Sequence, residues 1–148
     1  MDFKYAVNII LQKEGRYSFH PKDPGGETNF GISKRSYPKI DIKALTKMEA
    51  TCIYKADFWD KYEIEQMDPS IRLMFFDCAV NQGPTRAKHI LTMCQGVTYD
   101  SPLEMLFKFT NIRLDYYMGL PSWTTFGKGW TRRLLDIFYL SAKDQSNG

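Results

Sequence analysis

The chain has little of what metal sites and crosslinked frameworks are built from. Its 148 residues include two histidines, His20 and His89, and three cysteines, Cys52, Cys78 and Cys94, all widely spaced. No CxxC or HxxxH pair exists from which a ligand set starts, so neither a metal nor any other cofactor is expected. An odd number of cysteines, each within an apolar helical pattern, points to three buried free thiols. Long apolar runs are missing as well. Nothing approaches the roughly 20 residues that span a bilayer, so membrane insertion is not expected. The start, MDFKYAVNIILQKEG, carries an early acid and a short interrupted apolar stretch without a small-residue cleavage site; no signal peptide is read, and a product made in the cytoplasm is expected. Basic clusters are also scarce. The net charge is +3, and the only adjacent basic pairs are Lys34-Arg35 and Arg132-Arg133. That mild excess favours an acidic partner but lacks the basic stripe of a nucleic-acid binder.

What is present is a core-forming composition. With 43% hydrophobic and 15% aromatic residues, the chain suffices for one compact domain over 1–148 and is too short for two ordinary ones. Asp2 is placed to cap a first helix whose apolar residues Phe3, Ala6, Val7, Ile10 and Leu11 recur at helical spacing, with Gly15 as its stop. From Tyr17 to Ser33, prolines and glycines among polar residues predict a loop with a short hairpin. Thr46 and Glu49 form a capping box for a second helix from Lys47 to about Trp59. A third segment opens at Asp68-Pro69. It is apolar on more than one face through Val80, which predicts a central helix stopped by Asn81-Gln82-Gly83-Pro84. Further helices are expected over about Thr85–Cys94, from a Ser101/Glu104 capping box through Tyr117, and from Trp130 to about Ala142. The predicted fold is mainly α.

Against this background the carboxylates near the N-terminus stand out. Glu14 falls in the last turn of the first helix, at the negative end of the helix dipole, which suits a carboxyl that must carry a proton. Asp23 follows in the loop HPKDPGGETNFGIS, where a polar, solvated setting suits an ionised partner; Asp before Pro-Gly is equally a common turn former. A protonated and an ionised carboxyl are what acid-assisted cleavage of a glycosidic bond requires. Thr28 carries a hydroxyl able to orient water, and Glu27 is a rival second carboxylate. Arg16, two residues beyond Glu14, complicates the acid role.

Several ordered motifs then agree. EGRYS, DPGGETNFGIS, FWDKY, FFDCAVNQGP and KGWTRR together closely resemble the glycoside hydrolase family 108 lysozymes, N-acetylmuramidases found in bacteriophage endolysins and bacterial prophages. The resemblance implies a lysozyme-like helical domain, with about 1–90 as the catalytic part and about 91–148 as a helical peptidoglycan-binding segment packed on it. It implies that Glu14 is the catalytic acid. The wider phage-type spacing of Glu, Asp nine residues on, then Thr is kept by Glu14 and Asp23, with Thr28 one residue early. By that analogy Asp23 is the base and Thr28 positions the water. Arg16 departs from the family's second glycine in EGGY, and Ser33 from its threonine.

Motif position nominates Tyr17, Asn29, Phe30, Asn81 and Gln82 as substrate-binding residues, with core packing the competing role for Phe30 and helix capping for Asn81 and Gln82. Trp123, Trp130, Lys128, Arg132 and Arg133 are left outside the site. The implied partner is the peptidoglycan glycan strand, cut at the β-1,4 bond between N-acetylmuramic acid and N-acetylglucosamine. A monomer is expected, released to the wall through a separate membrane pore during host lysis. Lytic transglycosylation of the same bond and a non-catalytic wall-binding module are the alternatives.

Overall fold

The computed structural model describes residues 1–22 and 25–146. Its organising element is α3 (Arg72–Asn81), in which every side chain from Leu73 to Ala79 is buried. A helix apolar on all sides has to be wrapped. Around it lie α1 (Phe3–Glu14), α2 (Lys47–Tyr54), α4 (Pro84–Cys94), α5 (Pro102–Met118) and α6 (Trp123–Ser146). Val7 and Ile10 of α1, Ala87 and Ile90 of α4, Leu106 and Phe109 of α5, and Leu134 and Ile137 of α6 share one core with α3. Phe76 is the aromatic hub: the Trp59 and Tyr54 rings meet it edge-on at 5.4 and 6.1 Å between centroids. The fold is the mainly helical, lysozyme-like one expected.

The caps act as the sequence specifies. Asp2 accepts the Tyr5 N–H at 2.8 Å, and Gly15 closes α1. Thr46 and Glu49 satisfy each other's backbone N–H groups at 3.2 and 2.8 Å. Ser101 accepts the Glu104 N–H, while the Glu104 carboxylate reaches back one residue further, to the Asp100 N–H at 3.0 Å. After Tyr54 the chain widens into a π-helical turn over Lys55–Asp60, which carries the second helical segment to the expected neighbourhood of Trp59. Asp68 and Pro69 form a turn ahead of α3, with Asp68 accepting the Ser70 N–H at 2.9 Å.

Two expectations need correction. Cys52 is exposed; only Cys78 and Cys94 are buried, and burial pushes the Cys78 thiol up to about 11. Cys52 lies on the outer face of α2, whose inward positions are Ala50 and Tyr54. The last helix begins at Trp123, seven residues before Trp130, because it runs through both Gly127 and Gly129. Among the described residues no helix is long and apolar enough to cross a membrane.

Between α1 and α2 lies a two-stranded antiparallel hairpin, β1 (Thr28–Asn29) and β2 (Ile32–Ser33), with Thr28 opposite Ser33 and Asn29 opposite Ile32. The two turn residues, Phe30 and Gly31, have φ of +51° and +78°, as a tight hairpin loop that matches strand twist requires. An isolated bridge ties this hairpin to the loop after α1: Ser18 and Thr28 exchange N–H···O bonds of 2.8 and 2.9 Å.

Candidate active site

Glu14 ends α1 with its side chain 18% exposed, covered on one side by the hairpin turn. The turn comes so close that a Cβ on Gly31 would lie 2.7 Å from the Glu14 Cγ and 2.5 Å from the Tyr54 hydroxyl. Only glycine fits there. The Tyr54 hydroxyl donates to the Phe30 carbonyl at 2.8 Å, which pins the turn in its left-handed conformation. The tyrosine keeps its proton, because burial and the neighbouring Glu14 charge raise its pKa well above the usual range.

The other side of Glu14 faces α6. Arg133 donates from Nη2 to the Glu14 Oε1 at 2.5 Å, and from Nε to the Asp77 Oδ1 at 3.0 Å. Asp77, fully buried on α3, also receives Nη2 of Arg113, fully buried on α5, at 2.9 Å. Arg113 passes the chain on from Nε to the Gln82 Oε1 at 2.6 Å, and its Nη2 donates to the Tyr117 hydroxyl at 3.3 Å. That hydroxyl in turn donates to the Asn81 Oδ1. A continuous ladder therefore runs from the acid, Glu14, to the NQG turn, built by four helices. Two guanidinium groups, of Arg113 and Arg133, face the carboxyl groups of Asp77 and Glu14. Burial is the largest single influence and disfavours both guanidinium charges, but the surrounding groups together outweigh it, Asp77, Cys78 and Tyr117 for Arg113 and Asp77 and Glu14 for Arg133, so both are held above the usual arginine range.

This geometry gives Glu14 two different oxygens. Oε1 is fixed by a charge-assisted bond, whereas Oε2 has no hydrogen bond to any described residue. A carboxyl held by one oxygen and open at the other is oriented for proton transfer at the open one. The cation beside the acid is thus Arg133 and not Arg16, which is exposed and makes no hydrogen bond or ion pair with any described residue.

The other nominated residues divide. Thr28 is half-buried on β1. Asp23 lies outside the described residues. Tyr17 is 39% exposed and donates to Glu27 Oε1 at 2.8 Å, which commits that rival carboxylate to a tyrosine. Asn29 is buried and spends its amide on the Ile42 and Leu45 carbonyls, at 3.1 and 3.3 Å, tying β1 to the approach to α2. Phe30 packs part of its ring on the core. Asn81 and Gln82 are at a groove: together with Arg86, Tyr116, Tyr117 and Trp130 they line a cavity of ≈ 270 Å³. On the hairpin side a second groove of ≈ 430 Å³ includes Gly31, Ser33, Tyr37, Asp57 and Pro84, with Tyr37 donating to Asp57 at 2.7 Å.

Asp77, Arg113 and Arg133 were not nominated by the sequence. Their signal was nonetheless there: Asp77 interrupts the apolar run LMFFDCAV, and Arg113 occupies an inward position of α5. A charge in the middle of a core stripe implies a buried partner.

A carboxyl clamped at one oxygen and, among the described residues, without a hydrogen bond at the other is equipped for proton transfer. The family model of Glycosyl hydrolase 108 matches residues 7–83, from α1 to the NQG turn, and the chain belongs to this family of glycoside hydrolases. The structure of Brucella abortus SagA is similar, with a TM-score of 0.82 and 31% sequence identity over 95% of this chain and 94% of that one. No curated protein sequence matches. Glu14, Asp77, Asn81 and Gln82 fall inside the family match, whereas Arg113 and Arg133 come from helices beyond it.

Proposed function

We propose that the protein is a peptidoglycan hydrolase that cuts the β-1,4 bond between N-acetylmuramic acid and N-acetylglucosamine. The observation that carries this reading is the half-clamped Glu14 carboxyl at the junction of hairpin, α1 and α6. In this reading the open oxygen protonates the leaving glycosidic oxygen, while Arg133 keeps the carboxyl from rotating away. Asp23 drives water at the anomeric carbon, and Thr28 orients that water. The roles of Asp23 and Thr28 rest on the family resemblance and on spacing. Residues 91–148 serve twice in this proposal: they contact the wall, and through Arg113 and Arg133 they build the site. The same resemblance assigns the enzyme to host-cell lysis by a phage, with a separate pore giving access to the wall.

The test is a product analysis on isolated peptidoglycan with wild type, Glu14→Gln and Asp23→Asn. Glu14→Gln is expected to lower turnover by about 10²–10⁴-fold, the usual share of a general acid. New reducing ends support hydrolysis; anhydromuramyl ends indicate transglycosylation, which needs no Asp23. Activity surviving both substitutions would sink the mechanism, and binding without cleavage by the wild type would make the chain a wall-binding module.

A further inference from the structure

Arg86 lines the cavity of Asn81 and Gln82 without taking part in the ladder. It lies on the first turn of α4, just beyond the NQG turn. Its guanidinium lies over the face of the Tyr116 ring. Nη1 is buried without a hydrogen-bond partner. Nε and Nη2 are not buried and have no hydrogen bond or carboxylate partner among the described residues. A guanidinium is weakly hydrated and presents a planar fork that matches a carboxylate, and stacking on an aromatic face holds the fork in place before any ligand arrives. Arg113 and Arg133 spend their charge on Asp77 and Glu14; Arg86 has no described carboxylate to offset it.

Its position gives that charge a use. Arg86 lines the ≈ 270 Å³ cavity with Asn81, Gln82 and Trp130, and the adjoining ≈ 440 Å³ cavity with Pro84 and His89. Pro84 also borders the hairpin-side groove that contains Gly31. Gln82 is the last rung of the ladder that begins at Glu14. Arg86 therefore borders the cavity of Asn81 and Gln82, the turn that the hydrogen-bond ladder from Glu14 reaches.

We infer that Arg86 is a specificity-determining residue, forming with Gln82 and His89 a subsite for a carboxylate carried by the glycan. This rests on the peptidoglycan reading and narrows it: a neutral β-1,4 glycan lacks the group that Arg86 awaits. Two carboxylates share this chemistry, the free lactyl carboxyl of an unsubstituted muramic acid and the side-chain or terminal carboxyl of a stem peptide. Arg86 touches no reacting atom, so its removal raises KM and leaves kcat near the wild-type value.

Calorimetric titration separates the cases. The probes are the N-acetylglucosaminyl-muramic acid disaccharide, the same disaccharide carrying an Ala-Glu dipeptide on its lactyl group, and the methyl esters of both. Wild type is expected to bind at least one acid about ten- to a hundredfold more tightly than its ester, the range of a charge-assisted hydrogen-bond pair. The acid that shows the preference identifies the carboxylate. Arg86→Met should bind acid and ester alike, and Arg86→Lys should keep part of the preference. Equal affinity of wild type for acid and ester overturns the proposal, as does a preference that persists in Arg86→Met. The wild-type comparison stands even where a variant fails to fold. Because binding is read without turnover, a wild type that prefers the acid but releases no reducing ends from peptidoglycan defeats the hydrolase reading and leaves the subsite intact.

Discussion

Gly31 shows how narrowly the acid is held. Any other residue there must adopt a φ of +78° and find room for a Cβ where the Glu14 and Tyr54 side chains already are. Gly31→Ala is expected to cost about 1–2 kcal/mol in stability from the left-handed backbone alone. It should also lower turnover by roughly a hundredfold, because moving a reacting group by about an ångström has that effect. Gly96→Ala is the control. Gly96 has a similar φ of +81°, but an added Cβ there would meet nothing within 4 Å, so the variant should lose stability and keep activity. Thermal melts and initial rates of both variants check the pair, and equal activity in the two would mean that the hairpin turn does not position Glu14. The glycine in NFGIS was legible as a turn former; that its missing side chain makes space for the acid was not, since Glu14 lies seventeen positions earlier.

Among the elements, α1, the Thr46/Glu49 capping box, the buried α3 and the start of α5 were readable because caps and apolar periodicity are local signals. The beginning of α6 was not. Gly127 and Gly129 each cost a helix about 0.5–1 kcal/mol relative to alanine, so the pattern GKGW looks like an interruption. The two glycines differ in reason. At Gly127 a Cβ would strike the Trp123 indole at 2.5 Å, one turn back, whereas Gly129 has open space around it. Gly129→Ala should therefore stabilise by about 0.5–1 kcal/mol, and Gly127→Ala should destabilise by displacing Trp123 from its place beside Trp130. Chemical denaturation of the two variants decides, and stabilisation by both would show that the indole moves aside freely. The π-helical turn at Lys55–Asp60 left no comparable local mark; it is a tertiary adjustment that brings Trp59 onto Phe76.

At the scale of the whole molecule the polar ladder does what a hydrophobic core alone cannot, which is to fix α1, α3, α5 and α6 in one register around a carboxyl. Asp77 is its keystone, receiving both arginines with no exposure of its own. Asp77→Ala would leave Arg113 charged and wholly buried, a loss of about 3–5 kcal/mol, which is a large part of a typical domain's stability. Urea unfolding is the measurement, and a loss below about 1 kcal/mol would show that water or another group takes over the pairing. Pairings across such sequence distances are invisible to periodicity, so only the odd charges themselves, Asp77 and Arg113, were there to be noticed. The longest rung spans 119 residues, from Glu14 to Arg133. During synthesis Glu14 emerges from the ribosome 119 residues before the arginine that holds it. A nascent chain stalled before α6 holds Glu14 without its clamp, so whatever depends on the oriented carboxyl is acquired only once α6 has been made.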